Sequence, residues 1–241
     1  MKVLALDTST EYCSVALWQD GAVMERCELA GQKHSEMLMP MIDALLQAAD
    51  CKLQAIDGIA FGMGPGSFTG VRIACGVTQG LALGADLPVA GVCTLQAVAE
   101  GTGKSRVIAA LDARMDELYF AVYEKRDGDW ITVTEPCLCK PENVPSLTGA
   151  GWFGVGSGFA MHGAVLSDRY AGQLENVDGS AIPQAAAIAV LGAARIALGL
   201  GVDAAEALPL YLRDKVALKT SEREYSRSTS TGSVRTGGDI A

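Results

Sequence analysis

The chain has 241 residues, 49% of them hydrophobic and only 20% charged, which excludes a largely disordered protein and leaves room for one large core or two smaller ones. Its formal charge is −9, and because residues 211–241 hold six Lys and Arg against four Asp and Glu, residues 1–210 carry −11. Nucleic acid affinity comes mainly from cations that neutralise phosphates, so so acidic a body is a poor autonomous RNA or DNA binder, and any work on RNA calls for a partner that supplies the contacts.

In chain order, "KVLALDTSTEYCSVALWQDGAVMERCELA" contains three strands, the last two joined by a tight turn at Asp20 and Gly21. Polar residues break the opening apolar run within a few positions, so it does not resemble a signal peptide. "HSEMLMPMIDALLQAAD" sets Met37, Leu38, Met41, Ile42, Leu45 and Leu46 at helical spacing, with Pro40 in the first two turns, and predicts an amphipathic helix. "AIDGIAFGMGPG" is a buried strand entering a glycine-rich turn, after which Ser67 or Thr69 can cap a helix running through Leu83. "LPVAGVCT" is another strand, followed by a short helix around "LQAVAE".

"VIAALDARMDELYFAVY" then repeats the opening at an offset of 105 residues: Ala5, Leu6, Asp7, Val15 and Ala16 correspond to Ala110, Leu111, Asp112, Phe120 and Ala121. Both copies spell strand, Asp-containing turn, strand, which suggests an internal duplication. "GWFGVGSGFAMHGAVL" is a strand leading through glycines into a helix, with "GVGSG" read as the strand-to-helix turn rather than a dinucleotide loop, since no acidic residue follows at the required distance. "PQAAAIAVLGAARIALGLG" is an apolar helix ended by glycine, and "EALPLYLRDKVALK" an extended closing segment. From Thr220 the chain has almost no apolar residues and is expected to be a disordered tail. No apolar run reaches membrane-spanning length. The seven cysteines show neither a disulfide framework nor a C-x-x-C pair, and with only His34 and His162 beside them no metal site is expected; the composition fits a reduced, cytoplasmic protein.

"GMGPGSFTG" has the look of a phosphate loop, but Gly70 is followed by Val71 and Arg72 where a Walker A loop needs Lys and a hydroxyl residue. Helix-start amides could still hold an anion; the preferred reading is that Gly64, Pro65 and Gly66 turn the chain so that the helix packs on the sheet. Gly76, Gly80 and Gly84 strip one face of that helix, at roughly 1 kcal/mol each relative to alanine, and close approach of another helix would compensate. Met37 and Met41 suit either an adaptable partner surface or the core. "DTST" at Asp7 could bind phosphate, or Asp7 could simply hold local amides; "DARMDE" lacks the glycine that would let amides close on a second phosphate. His34 is a cap or interface group rather than a base, His162 an exposed mid-helix residue, and Arg114, Asp116 and Glu117 form either a solvated strand end or a docking patch.

"LALDTST", "HSEMLMPMID", "GMGPGSFTGVRIA", "GLALGADLPVAGV", "ALDARMDELYFAVY" and "PLYLRD" together resemble the TsaB (YeaZ) family of bacterial threonylcarbamoyladenosine biosynthesis, over about residues 1–217. The resemblance implies an actin-like, ribonuclease H-like duplicated α/β fold: lobes at residues 1–103 and 104–219, each with a mixed sheet, and a tail at 220–241. It implies a non-catalytic scaffold, with no cofactor of its own, that pairs with TsaD and with the ATPase TsaE. TsaD transfers threonylcarbamoyl to N6 of adenosine 37 in ANN-decoding tRNAs, so tRNA is met only through the complex. TsaD's H-x-x-x-H metal pair falls on Thr94 and Val98 here. The family's pairing surface, also used for homodimers when TsaD is absent, maps onto His34, Met37, Leu38, Met41, Ile42 and Leu45 of the first helix. On the second it maps onto Phe68, Val71, Arg72, Cys75, Gly76, Gln79, Gly80 and Leu83. Asp7, Thr8, Ser9 and Asp112 are then vestigial nucleotide-binding positions. The competing expectation is an ATP-dependent small-molecule kinase of the same fold, which needs both phosphate turns competent.

Overall fold

A computed structural model describes residues 1–213. Near-continuous apolar runs buried on both faces make the strands β1 (Lys2–Asp7) and β2 (Tyr12–Gln19), the more exposed β3 (Ala22–Leu29) pairs with β2, and the meander turns at Asp20 and Gly21, whose φ values of 48° and 96° are the left-handed pair that a two-residue hairpin needs. The chain then enters α1 (His34–Ala48), returns in β4 (Gly58–Gly64) parallel to β1, crosses in α2 (Phe68–Ala85), and adds β5 (Val89–Cys93) and α3 (Thr94–Gly101). The first sheet has the order β3-β2-β1-β4-β5.

The second half builds β6 (Arg106–Asp112), β7 (Leu118–Arg126), β8 (Asp129–Cys139), β9 (Trp152–Val155), α4 (Ser157–Arg169), β10 (Leu174–Asp178) and α5 (Ala185–Ala197). Its sheet has the order β8-β7-β6-β9-β10, the same arrangement as the first, and Asp127 and Gly128 repeat the left-handed hairpin turn with φ values of 53° and 94°. The duplication is therefore real, with one correction to its alignment. Leu6 pairs with Val15, whereas Leu111 pairs with Tyr119, so Val15 answers to Tyr119 and Ala16 to Phe120. The second connection is one residue shorter, and the offset of 105 holds for the first strand of each hairpin only.

The helices that end each half cross over: α5 lies on β1, β2 and β4 of the first sheet, and α3 on β6 and β7 of the second. Alanines and one glycine make this tight layer, since a Cβ on Gly192 would collide with Ala60. On the outer side of the first sheet, α1 and α2 cover a core of Leu4, Leu6, Ile42, Leu45, Ile59 and Phe61, each at most 1% exposed. The result is the actin-like duplicated architecture, two lobes of mixed five-stranded sheets flanked by helices. After Ala197 the closing segment returns to the first lobe: Val202 bridges Val89, Ala204–Glu206 make a 3-10 turn, and residues 207–213 run extended without joining either sheet. The tail expected at 220–241 lies outside the described residues.

Candidate partner face and interlobe cleft

The glycine-rich stretch before α2 is a packing device. Ser67 caps the helix, its hydroxyl accepting from the Gly70 amide at 3.3 Å, while the Ser67 amide donates to the Ser9 carbonyl at 2.7 Å. Thr8 donates through its hydroxyl to the Gly70 carbonyl at 2.7 Å, and any Cβ on Gly70 would run into the Thr8 backbone. Two of the amides that an anion would need are thus engaged within the chain, and the helix is pinned to the β1–β2 turn.

The remainder of α2 has two unlike faces. Val71, Ala74, Cys75, Thr78 and Ala82 are buried, whereas a Cβ added at Gly76, Gly80 or Gly84 would meet nothing within 4 Å among the described residues. Phe68 and Leu83, at 48% and 79% exposed, bracket this bare row. Val71 and Cys75 were expected on the outer face but are only 2% and 5% exposed. The Cys75 thiol and the half-buried Gln79 amide both donate to the Ala207 carbonyl, at 3.1 and 2.8 Å, because the returning segment covers that side.

A similar correction applies to α1. Leu38, Met41, Ile42 and Leu45 lie in the core, Met37 packs against it, and His34 is 7% exposed with Nε2 2.9 Å from the Thr10 carbonyl. Helical spacing marks the apolar stripe, and on a helix laid over a sheet that stripe faces inward. The outward residues of α1 are Ser35, Glu36, Met39, Pro40, Asp43, Gln47 and Ala48.

Between the lobes is a cleft of about 950 Å³, lined among others by Ser9, Thr69, Asp112, Ser157, Tyr211 and Arg213. At its first-lobe edge Thr8 and Ser9 are buried, and Asp7 is 1% exposed. The Asp7 Oδ2 accepts from the Ser9 amide at 3.1 Å and hydroxyl at 2.9 Å, while Oδ1 has no partner among the described residues. Burial outweighs those two bonds and pushes the Asp7 carboxyl up to about 7. At the second-lobe edge the Asp112 amide donates to the Ser157 hydroxyl at 3.0 Å and its carboxylate accepts from the Arg114 amide at 3.0 Å. Arg114, Met115 and Asp116 follow with φ values of 63°, 58° and 55°, three consecutive left-handed side-chain-bearing residues at about 1–2 kcal/mol each. The polar cluster at 114–117, expected as a solvated strand end or a docking patch, is built on a strained turn. His162, expected exposed within a helix, is half-buried at a kink in α4, with φ −124° and ψ 27°.

Sequence patterns gave no role to residues 207–213. Here Leu210 donates its amide to the Met63 carbonyl at 2.7 Å, Tyr211 lies beside Phe68 with ring centroids 6.2 Å apart, and Arg213 reaches the second lobe. It pairs with Glu117 at 2.7 Å and donates to the Ala113 carbonyl at 3.0 Å, bracing the strained turn. The segment straps the α2 face to the other lobe across the cleft; the "PLYLR" run was the available signal. Among the described residues no group of three or more His, Cys, Asp and Glu side chains is placed to hold a metal ion, and no helix is long and apolar enough to cross a membrane.

Comparison with known proteins accords with this architecture. The profile of the family described as "TsaD: tRNA N6-adenosine threonylcarbamoyltransferase" matches residues 26–221. The tRNA threonylcarbamoyladenosine biosynthesis protein TsaB of Escherichia coli K12 is 40% identical over 235 residues, covering 91% of this chain and 97% of that protein. Its Haemophilus influenzae counterpart is 38% identical over 234 residues, covering 91% and 96%. A solved structure of YeaZ from Pseudomonas aeruginosa superposes with a TM-score of 0.81 at 41% identity, covering 88% of this chain and 99% of that one. Two lobes of matching topology, a profile match over most of the chain and near full-length similarity to these relatives all lead to one assignment: the chain belongs to the TsaB (YeaZ) family of tRNA threonylcarbamoyladenosine biosynthesis proteins.

Proposed function

We propose that this chain is a non-catalytic subunit of tRNA threonylcarbamoyladenosine formation that pairs with TsaD through the outer face of α2, with TsaE joining the assembly. The carrying observation is the bare row of Gly76, Gly80 and Gly84, which nothing among the described residues covers. Each glycine costs roughly 1 kcal/mol of helix propensity, a cost that close packing of a second helix offsets. The same face serves homodimers when TsaD is absent, and tRNA is engaged through the complex, in keeping with the charge of −11 on residues 1–210. A scaffold role is supported at the positions where TsaD carries its metal pair: Thr94 is buried and donates to the Pro65 carbonyl, and Val98 is 2% exposed in the core.

Gly80→Leu tests the reading. It fills the groove and is expected to abolish co-purification with TsaD while the free chain stays folded; wild-type pairing would refute this placement. In a reconstituted reaction, tRNA modification by TsaD and TsaE should depend on adding the chain. The 950 Å³ cleft favours a second reading, a small-molecule kinase, which predicts micromolar ATP–magnesium binding with turnover by the isolated protein in calorimetry.

A further inference from the structure

We propose that Phe68, Arg72 and Tyr211 form a pre-ordered cationic anchor for a carboxylate on the partner's helix. The inference rests on the pairing reading above and specifies the chemistry that the partner must carry.

Residues 68, 72, 76, 80 and 84 are spaced by four and so lie along one ridge of α2. Its first two positions carry Phe and Arg, and its last three carry no side chain. The Arg72 guanidinium carbon sits 3.3 Å from the Phe68 ring centroid and 4.8 Å from that of Tyr211, and Nη1 donates to the Phe68 carbonyl at 2.9 Å. With the two ring centroids 6.2 Å apart, Phe68 covers one side of the guanidinium and Tyr211 flanks it at about a right angle, so the rings wall it on two adjacent sides and leave the others open for its remaining N–H donors. Among the described residues Arg72 takes part in no ion pair, whereas Arg106, Arg126 and Arg213 each have a carboxylate.

The second ring is held by the strap on both sides. Upstream, Ala207 is tied to Cys75 and Gln79; next to Tyr211, Leu210 is tied to Met63; beyond it, Arg213 is tied to Glu117. An arginine stacked in this way loses little freedom on binding, and its planar fork matches a carboxylate with two parallel hydrogen bonds. A phosphate has similar acceptor geometry, but the charge of −11 on residues 1–210 opposes RNA, and the adjoining bare groove fits a helix. From Arg72 to Gly84 the ridge extends about 18 Å, or three turns. The partner helix therefore places small or apolar residues against the glycines and an Asp or Glu about one turn beyond them.

The test measures the affinity of the full chain for the TsaD of the same organism. Arg72→Ala is expected to weaken pairing about 30-fold or more, Arg72→Lys less, since it keeps the charge but loses the fork, and Tyr211→Leu about 3- to 10-fold. All three should leave the melting temperature of the free chain nearly unchanged. With Arg72→Lys, a carbodiimide should join the introduced amine to one Asp or Glu of TsaD, located by mass spectrometry. Wild-type affinity in Arg72→Ala, a crosslink to no TsaD carboxylate, or weakened tRNA binding with intact TsaD affinity would each overturn the anchor while leaving the α2 pairing in place. Absence of pairing by the wild-type chain would instead remove the pairing reading, and the anchor with it.

Discussion

The two lobes share strand order and hairpin turns and differ in what is attached to that frame. Between its third and fourth strands the first lobe carries the 15-residue α1, where the second has only a 3-10 turn at Pro141–Asn143. The crossover helix α2 runs 18 residues with a bare outer face, and its counterpart α4 runs 13 residues with a kink at His162. The aspartate ending the first strand is sealed in one lobe, whereas in the other its side chain is 19% exposed beside a strained turn. Strand registers resist change because a slip of one residue moves every side chain to the opposite face, while helices on the outside diverge freely. Divergence has gathered where the first lobe offers a surface and the second supplies a brace for it.

The largest expected break in this comparison is at Asp7. Its folded-state value of about 7 stands above the ordinary 3.8, so between those values the folded chain binds a proton that the unfolded chain has released. Stability is then greatest at the acid end of that window and falls as pH rises toward 7, by at most about 1.4 kcal/mol per unit. Urea denaturation across pH 5–8 should show this decline, and Asp7→Asn should remove most of it. A wild-type chain equally stable at both ends would show that the carboxylate is solvated.

Next in size is a contrast within α2. Gly70→Ala forces a methyl group into the Thr8 backbone and should cost about 3 kcal/mol. Gly80→Ala points into open space and should stabilise the free chain by up to about 1 kcal/mol through helix propensity. Equal effects at the two sites in chemical denaturation would contradict the inner and outer assignment. Smaller still is Arg213→Ala, which unties the turn at 114–116 from the strap. Amides of residues 113–117 should exchange faster with solvent while those of β6 keep their protection, and unchanged exchange would show that the turn holds itself.

Much of this was legible in the sequence because it depends on local chemistry. Asp20 and Gly21 announce their turn through the need for two positive φ values, and Ser67 announces a cap through its hydroxyl. Gly76, Gly80 and Gly84 announce a bare face because a missing side chain is missing in any fold. The stripe at Leu38, Met41, Ile42 and Leu45 was equally legible as a pattern but silent about direction, since periodicity identifies an apolar face without naming what covers it; the first sheet does. The repeat alignment slipped by one at Val15 and Phe120 because apolar strands match in either register, and only hydrogen-bond pairing tells them apart.

By itself, then, the sequence determined the elements, the duplication and the bare row on α2, all set by interactions among residues a few positions apart. Tertiary structure alone decided that Tyr211 flanks Arg72, that Arg213 braces a turn about a hundred positions earlier, and that Asp7 is sealed from water. Such contacts join segments distant in the chain, and burial and pairing between them come into being only when the two lobes and the strap have come together.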